Sequence, residues 1–177
     1  MIERYSREKM KKIWELDSKF KYYLDVELAV CKAYNMSGKI PDEALNEIIS
    51  KAAFSVERID EIEKEVRHDL IAFLTNVNEN VGENSRFIHM GLTSSDVIDT
   101  ALALQMRDAG KIILEDIDNL ISTVKEKAKE HKKTICIGRS HGVHAEPMTF
   151  GVKICGWIDL FERNKRNFEK ALEEACV

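Results

Sequence analysis

Five histidines, His68, His89, His131, His141 and His144, carry most of the acid-base chemistry on offer in this 177-residue sequence. Imidazole gives and takes a proton near neutral pH, so each is a candidate acid, base or anion contact. Taken singly, each reads better as a surface or hydrogen-bonded structural residue, and His131 in particular sits in a lysine-rich, solvated setting. Three settings shift that balance. Arg67-His68-Asp69 places a cation, an imidazole and a carboxylate consecutively, where they can present to one pocket. Arg86 to Asp96 leads from a basic entry through His89 to the hydroxyl-rich Thr93-Ser94-Ser95-Asp96. Arg139-Ser140-His141 lies in a glycine-flanked stretch.

Thr93-Ser94-Ser95-Asp96 has the form of a capping box ahead of the apolar positions Val97, Ile98, Ala101 and Leu102, so a helix starts there. The free N–H groups and hydroxyls of such a terminus also make an anion site, although spacing alone favours the ordinary cap. His141-x-x-His144 lacks the helical i, i+4 spacing of a zinc pair and has no third ligand in view. The cysteines Cys31, Cys136, Cys155 and Cys176 form no C-x-x-C, so reduced thiols are expected in place of disulfides or a metal site. No G-x-G-x-x-G, Walker loop or G-x-S-x-G occurs, which excludes nucleotide binding by those devices.

The elements that must position these residues read as helices. Two prolines and eight glycines leave few stops, and a 44% apolar composition can bury a core. The net charge of -4 argues against a polycationic nucleic-acid binder. No apolar run of membrane-spanning length and no signal peptide is found, so a cytoplasmic protein is expected. Helical spacing covers Ser6 to about Tyr34 in two stretches, a segment opened by Pro41, another capped by Ser55, and Leu70 to Val77. The helix from Ser94 continues without proline to about His131. A helix of that length is stable only when other long helices cover its stripe, which implies a large bundle or an oligomer. Ile135-Cys136-Ile137 reads as a short apolar run followed by a polar loop to Pro147, and a second long helix begins near Met148. It reaches Val177 with no capping residue, as expected of a longer parent polypeptide. The expected fold class is all-α, with a small helical domain over 1–93 and the first part of a long-helix bundle over 94–177.

Arg86-Phe87-Ile88-His89-Met90-Gly91-Leu92-Thr93-Ser94-Ser95-Asp96 and Gly138-Arg139-Ser140-His141-Gly142-Val143-His144-Ala145-Glu146-Pro147-Met148-Thr149-Phe150-Gly151 resemble two of the three signature regions of the fumarase/aspartase superfamily. Arg4-Tyr5-Ser6 and Val66-Arg67-His68-Asp69-Leu70 are similar to the branch that eliminates fumarate from adenylosuccinate and from succinylaminoimidazole carboxamide ribotide. The third signature, an S-S-x-M-P-x-K-x-N segment, does not occur in this sequence.

The resemblance implies a β-elimination in which a base removes a carbon-bound proton, an acid protonates the leaving nitrogen, and positive charge holds the carboxylates. It makes His141 the general acid and assigns the base to a serine on the loop not found here. Arg4 and Tyr5 would contact the nucleotide. Arg67, His68 and Asp69 would bind its phosphate end, with His68 also helping to orient the acid. Thr93 and Ser94 would hold the succinyl carboxylate, and His89 would be a further phosphate or carboxylate contact. The family uses no cofactor or metal and forms homotetramers with sites built from three subunits. On this reading the chain alone lacks the base and is expected to be inactive. Two alternatives remain. One is another superfamily lyase, such as an argininosuccinate lyase or a cycloisomerase, against which Arg4-Tyr5 and Arg67-His68-Asp69 argue by implying a phosphorylated substrate. The other is a noncatalytic helical oligomerisation module.

Overall fold

A computed structural model describes residues 2–176. The chain divides into two compact units, one ending at Gln105 and the other beginning at Met106.

In the first unit a 3₁₀ turn (Glu3–Tyr5) precedes α1 (Glu8–Ile13), α2 (Leu16–Met36), α3 (Asp42–Lys51), α4 (Val56–Val66) and α5 (Asp69–Val81). A second 3₁₀ turn, Glu83–Phe87, leads to the opening turns of α6 (Ser94–Glu130). The boundaries follow local chemistry. Pro41 is the N-cap of α3, one position outside the first turn where its fixed φ was expected to serve. Ser55 caps α4, its hydroxyl accepting from Arg58 N–H at 3.3 Å. Arg67 ends that helix in the left-handed conformation, φ 53°. The core forms where α2, α4 and α5 turn their apolar faces inward. Phe73 is fully buried, its ring stacked on Phe20 at 5.7 Å and meeting Tyr23 edge-on at 5.7 Å. Ile48, Ile59, Leu70 and Val77 close around them without exposure. Gln105 ties α6 to the end of α1, donating from Nε2 to the Ile13 carbonyl at 2.7 Å.

The second unit consists of the rest of α6, a hairpin of β1 (Ile135–Ser140) and β2 (Val143–Thr149), and α7 (Phe150–Ala175). The 37 residues of α6 amount to about 55 Å of helix, the length its uninterrupted pattern predicts. Lys165 reaches Asp118 at 2.6 Å and Lys125 reaches Glu162 at 2.7 Å, linking α6 to α7. Ile121, Ala128 and Ile154 are buried between them, whereas Ile113, Leu120, Val152, Trp157 and Leu160 stay exposed along the two helices.

The segment read from sequence as a polar loop is instead the antiparallel hairpin, with Ile135 opposite Thr149 and Ser140 opposite Val143. His141 and Gly142 form its two-residue turn with φ of 52° and 78°. Positive φ at both positions is the twist that a two-residue hairpin favours. Pro147 is tolerated because each strand of a two-stranded sheet is an edge, and the ladder shifts register between Ile137 and Arg139. The all-α expectation holds for the architecture, with this hairpin as a small addition. Among the described residues no helix is long and apolar enough to cross a membrane.

Candidate active site

In the first unit the 3₁₀ turn presents Arg4 and Tyr5 at the surface, the guanidinium 4.7 Å above the phenol ring. Beside its backbone bonds, two side-chain contacts hold this turn, Ser6 Oγ donating to the Ile2 carbonyl at 2.8 Å and Lys11 pairing with Glu3 at 3.0 Å. The Glu3 carboxyl titrates below the ordinary carboxylate range because Lys11 donates to it.

His68 is the N-cap of α5. Its Nδ1 accepts from Ile71 N–H across a long 3.5 Å, which places the proton of a neutral ring on Nε2. Asp69 Oδ1 accepts from Leu70 N–H at 2.8 Å, and Oδ2 lies 3.5 Å from Lys19 Nζ. Lys19 also sits 5.3 Å from the centre of the Tyr23 ring, so the carboxylate is anchored to a cation that the core itself positions. Arg67 lines a shallow surface hollow with Asp60, Glu63 and Lys64.

The stretch before α6 holds His89, whose φ of 61° is left-handed. Histidine is among the residues enriched there, and such a conformation persists where neighbours hold it. The neighbour is Glu27. Its carboxylate is 1% exposed, accepts His89 N–H at 2.8 Å and lies 2.7 Å from His89 Nδ1. Glu27 belongs to none of the motifs legible in the sequence. The available signal was a carboxylate inside an apolar helical face, flanked at helical spacing by Phe20, Tyr23, Leu24 and Cys31, all buried. One turn further along α2, burial and the charge of Glu27 push the Cys31 thiol up to about 11.

At the start of α6, Asp96 returns to accept Thr93 N–H at 2.8 Å, the backbone half of the capping box. Thr93 is exposed and Ser94 half-buried. The positive end of the helix dipole therefore faces outward, partly balanced by the chain's own carboxylate.

In the second unit His141 occupies the first position of the hairpin turn and is exposed; among the described residues no protein group hydrogen-bonds its ring. Arg139, opposite His144 in the ladder, lines a hollow with Gly138, Met148 and Lys153. His131 departs from its expected solvated setting. Its ring meets Phe150 edge-on at 5.3 Å, and Nδ1 lies 3.2 Å from Thr134 Oγ1. Among the described residues no group of three or more His, Cys, Asp or Glu side chains is placed to hold a metal ion.

The sequence-derived candidates thus form local arrangements: His68 with Asp69 and Lys19, His89 with Glu27, Thr93 with Asp96, and His141 alone on its turn. Chemically these offer an outward imidazole N–H, a carboxylate-backed imidazole, an anion-seeking helix terminus and an unencumbered titratable ring.

Comparison with known proteins adds a common pattern. The family described as Lyase matches residues 3–177. The adenylosuccinate lyase of Synechocystis sp. is 51% identical over 177 residues, covering 100% of this chain and 41% of the relative. That of Aquifex aeolicus is 52% identical over 176 residues, covering 98% of this chain and 40% of the relative. Among solved structures, a fumarate lyase from Mesorhizobium sp. BNC1 superposes with a TM-score of 0.86 at 28% identity, over 93% of this chain and 40% of that one. The chain therefore spans about 40% of the length of the curated relatives it matches.

Proposed function

The chain belongs to the lyase family, and from that membership we propose that it carries the general acid and the anion-binding helix start of an adenylosuccinate lyase. The observation that carries the reading is identity of about half, over essentially the whole chain, to relatives of that one activity. The substrates are adenylosuccinate and succinylaminoimidazole carboxamide ribotide, each cleaved to fumarate and an amine.

The mechanism assigns work to the groups described above. Thr93 and Ser94, at the positive end of α6, hold the succinyl carboxylate that gains charge as the carbon-bound proton leaves. His141 donates the proton to the departing nitrogen. Its exposed position at a hairpin tip suits a site completed by other segments, since a general acid works best with water excluded. His68 binds the phosphate end through its outward Nε2–H and helps to orient the acid, with Arg67 and Asp69 beside it in sequence. Arg4 and Tyr5 contact the nucleotide, and His89 supplies a further contact to an anionic group. The base is a serine on a loop belonging to the part of the relatives' length that this chain does not span. The exposed apolar faces of α6 and α7 suit assembly into a homotetramer with shared sites.

Substrate specificity tests the reading. The chain, combined with the remaining length of the Aquifex aeolicus relative, is offered adenylosuccinate or argininosuccinate and fumarate release is followed by ultraviolet absorbance. The reading expects turnover of the first alone. Turnover of argininosuccinate alone moves the chain to that neighbouring activity, and turnover of neither removes the catalytic reading.

A further inference from the structure

We propose that Glu27 is a positioning residue for His89: its carboxylate fixes the imidazole proton on Nδ1 and leaves Nε2 as the ring's working atom. The functional half of this proposal rests on the reading of His89 as a contact to an anionic substrate group.

Glu27 is 1% exposed on a helical face that otherwise carries Phe20, Tyr23, Leu24 and Cys31. A carboxylate in such a place is unfavourable unless hydrogen-bonded, and an apolar side chain of similar volume would often serve the fold as well. Packing alone gives no reason for the charge. What the carboxylate does instead is bind residue 89 twice, with Oε2 accepting the backbone N–H at 2.8 Å and Oε1 lying 2.7 Å from Nδ1. The backbone contact holds a left-handed residue in place, and the ring contact fixes the direction of the imidazole.

An ionised carboxylate only accepts, so Nδ1 must be the protonated nitrogen. In the neutral ring Nε2 then carries a lone pair. Once protonated, Nε2–H can donate to a phosphate or carboxylate while Glu27 balances the positive charge. Among the described residues no protein group pairs with Nε2. His68 is arranged the opposite way. Its Nδ1 accepts from Ile71 N–H, so its neutral ring presents an N–H at Nε2. The two imidazoles of one unit are thus set in opposite tautomers by their backing groups.

Long-range ¹H–¹⁵N correlation spectra of the histidine rings in the whole chain test this, recorded well above the ordinary histidine pKa, with His89 assigned by loss of its signals in His89→Gln. In the unaltered protein His89 is expected to show a protonated Nδ1 and a bare Nε2, and His68 the reverse. This measurement needs no folded Glu27 variant. In Glu27→Gln the amide oxygen can accept the backbone N–H while the amide nitrogen donates to Nδ1, so the proton should move to Nε2. A proton on Nε2 of His89 in the unaltered protein, or an unchanged pattern in Glu27→Gln, overturns the proposal. In the completed lyase Glu27→Gln should raise KM roughly tenfold, the loss of one charge-assisted contact, with a smaller change in kcat. A tautomer switch with KM unchanged overturns the substrate role of His89 while the positioning stands.

Discussion

Gly151 lies so close to the end of α6 that a Cβ there would come within 2.5 Å of the Ala128 carbonyl oxygen and 2.8 Å of Lys132 Cα. The contact is backbone against backbone, at the point where Gly151 N–H donates to the His131 carbonyl at 3.0 Å and Phe150 N–H to the Thr134 carbonyl at 2.8 Å. These bonds anchor the start of α7 to the turn that follows α6.

Gly151→Ala is therefore expected to destabilise the second unit by about 1–3 kcal/mol or more, because neither backbone can retreat without breaking them. Gly110→Ala instead meets the side chain of Leu172, its methyl groups at 2.5 Å and Cγ at 3.1 Å, and a side chain can rotate away. Urea unfolding of the two variants should rank Gly151→Ala as the more damaging. Equal midpoints would contradict the close approach.

Phe73→Ala should lower stability by about 3–5 kcal/mol, the usual cost of emptying a fully buried aromatic site. Phe73 is unexposed and contacts the rings of Phe20, Tyr23 and Phe54. Chemical denaturation followed by tryptophan fluorescence or circular dichroism gives the number.

The Cys31 thiol, held at about 11 against an ordinary 9.0, is neutral in the fold when a free thiol would already ionise. A folded pKa raised above the unfolded value contributes stability that is complete below the lower value and lost as pH rises through the higher one. Stability should accordingly decline between about pH 9 and pH 11, and Cys31→Ser should weaken that dependence. At mildly alkaline pH an alkylating reagent should label the exposed Cys155 well before Cys31.

Much of this architecture is legible in the residues. The start of α6 follows from Thr93 and Asp96, and the length of α6 from the absence of proline before His131. The hairpin was harder to read. Ile135-Cys136-Ile137 is too short for a clear alternation, and His141-Gly142 lacks the Asn-Gly or Asp-Gly signature of a two-residue turn, although it adopts the same positive φ values. Glu27 was missed because its partner lies 62 residues away, a pairing that only tertiary packing creates. His131 was misplaced for a similar reason, since its lysine neighbours in sequence conceal the Phe150 ring that it meets in space.

His141→Ala in the completed lyase should reduce turnover roughly 100-fold to 10,000-fold with a much smaller effect on binding, because protonating the leaving nitrogen matters only in the transition state. His131→Ala should leave turnover unchanged and cost only local packing against Phe150. A His141→Ala enzyme whose sole defect is a raised KM would reassign that residue to binding.

Fumarate release from adenylosuccinate separates acid from base in three samples: this chain alone, the chain mixed with the remaining length of the Aquifex aeolicus relative, and the same mixture carrying His141→Ala. With the acid in this chain and the base in the added part, no turnover is expected from the first, turnover from the second, and its near-complete loss in the third. Fumarate release by the chain alone would contradict the placement of the base, and undiminished release by the His141→Ala mixture would contradict the placement of the acid.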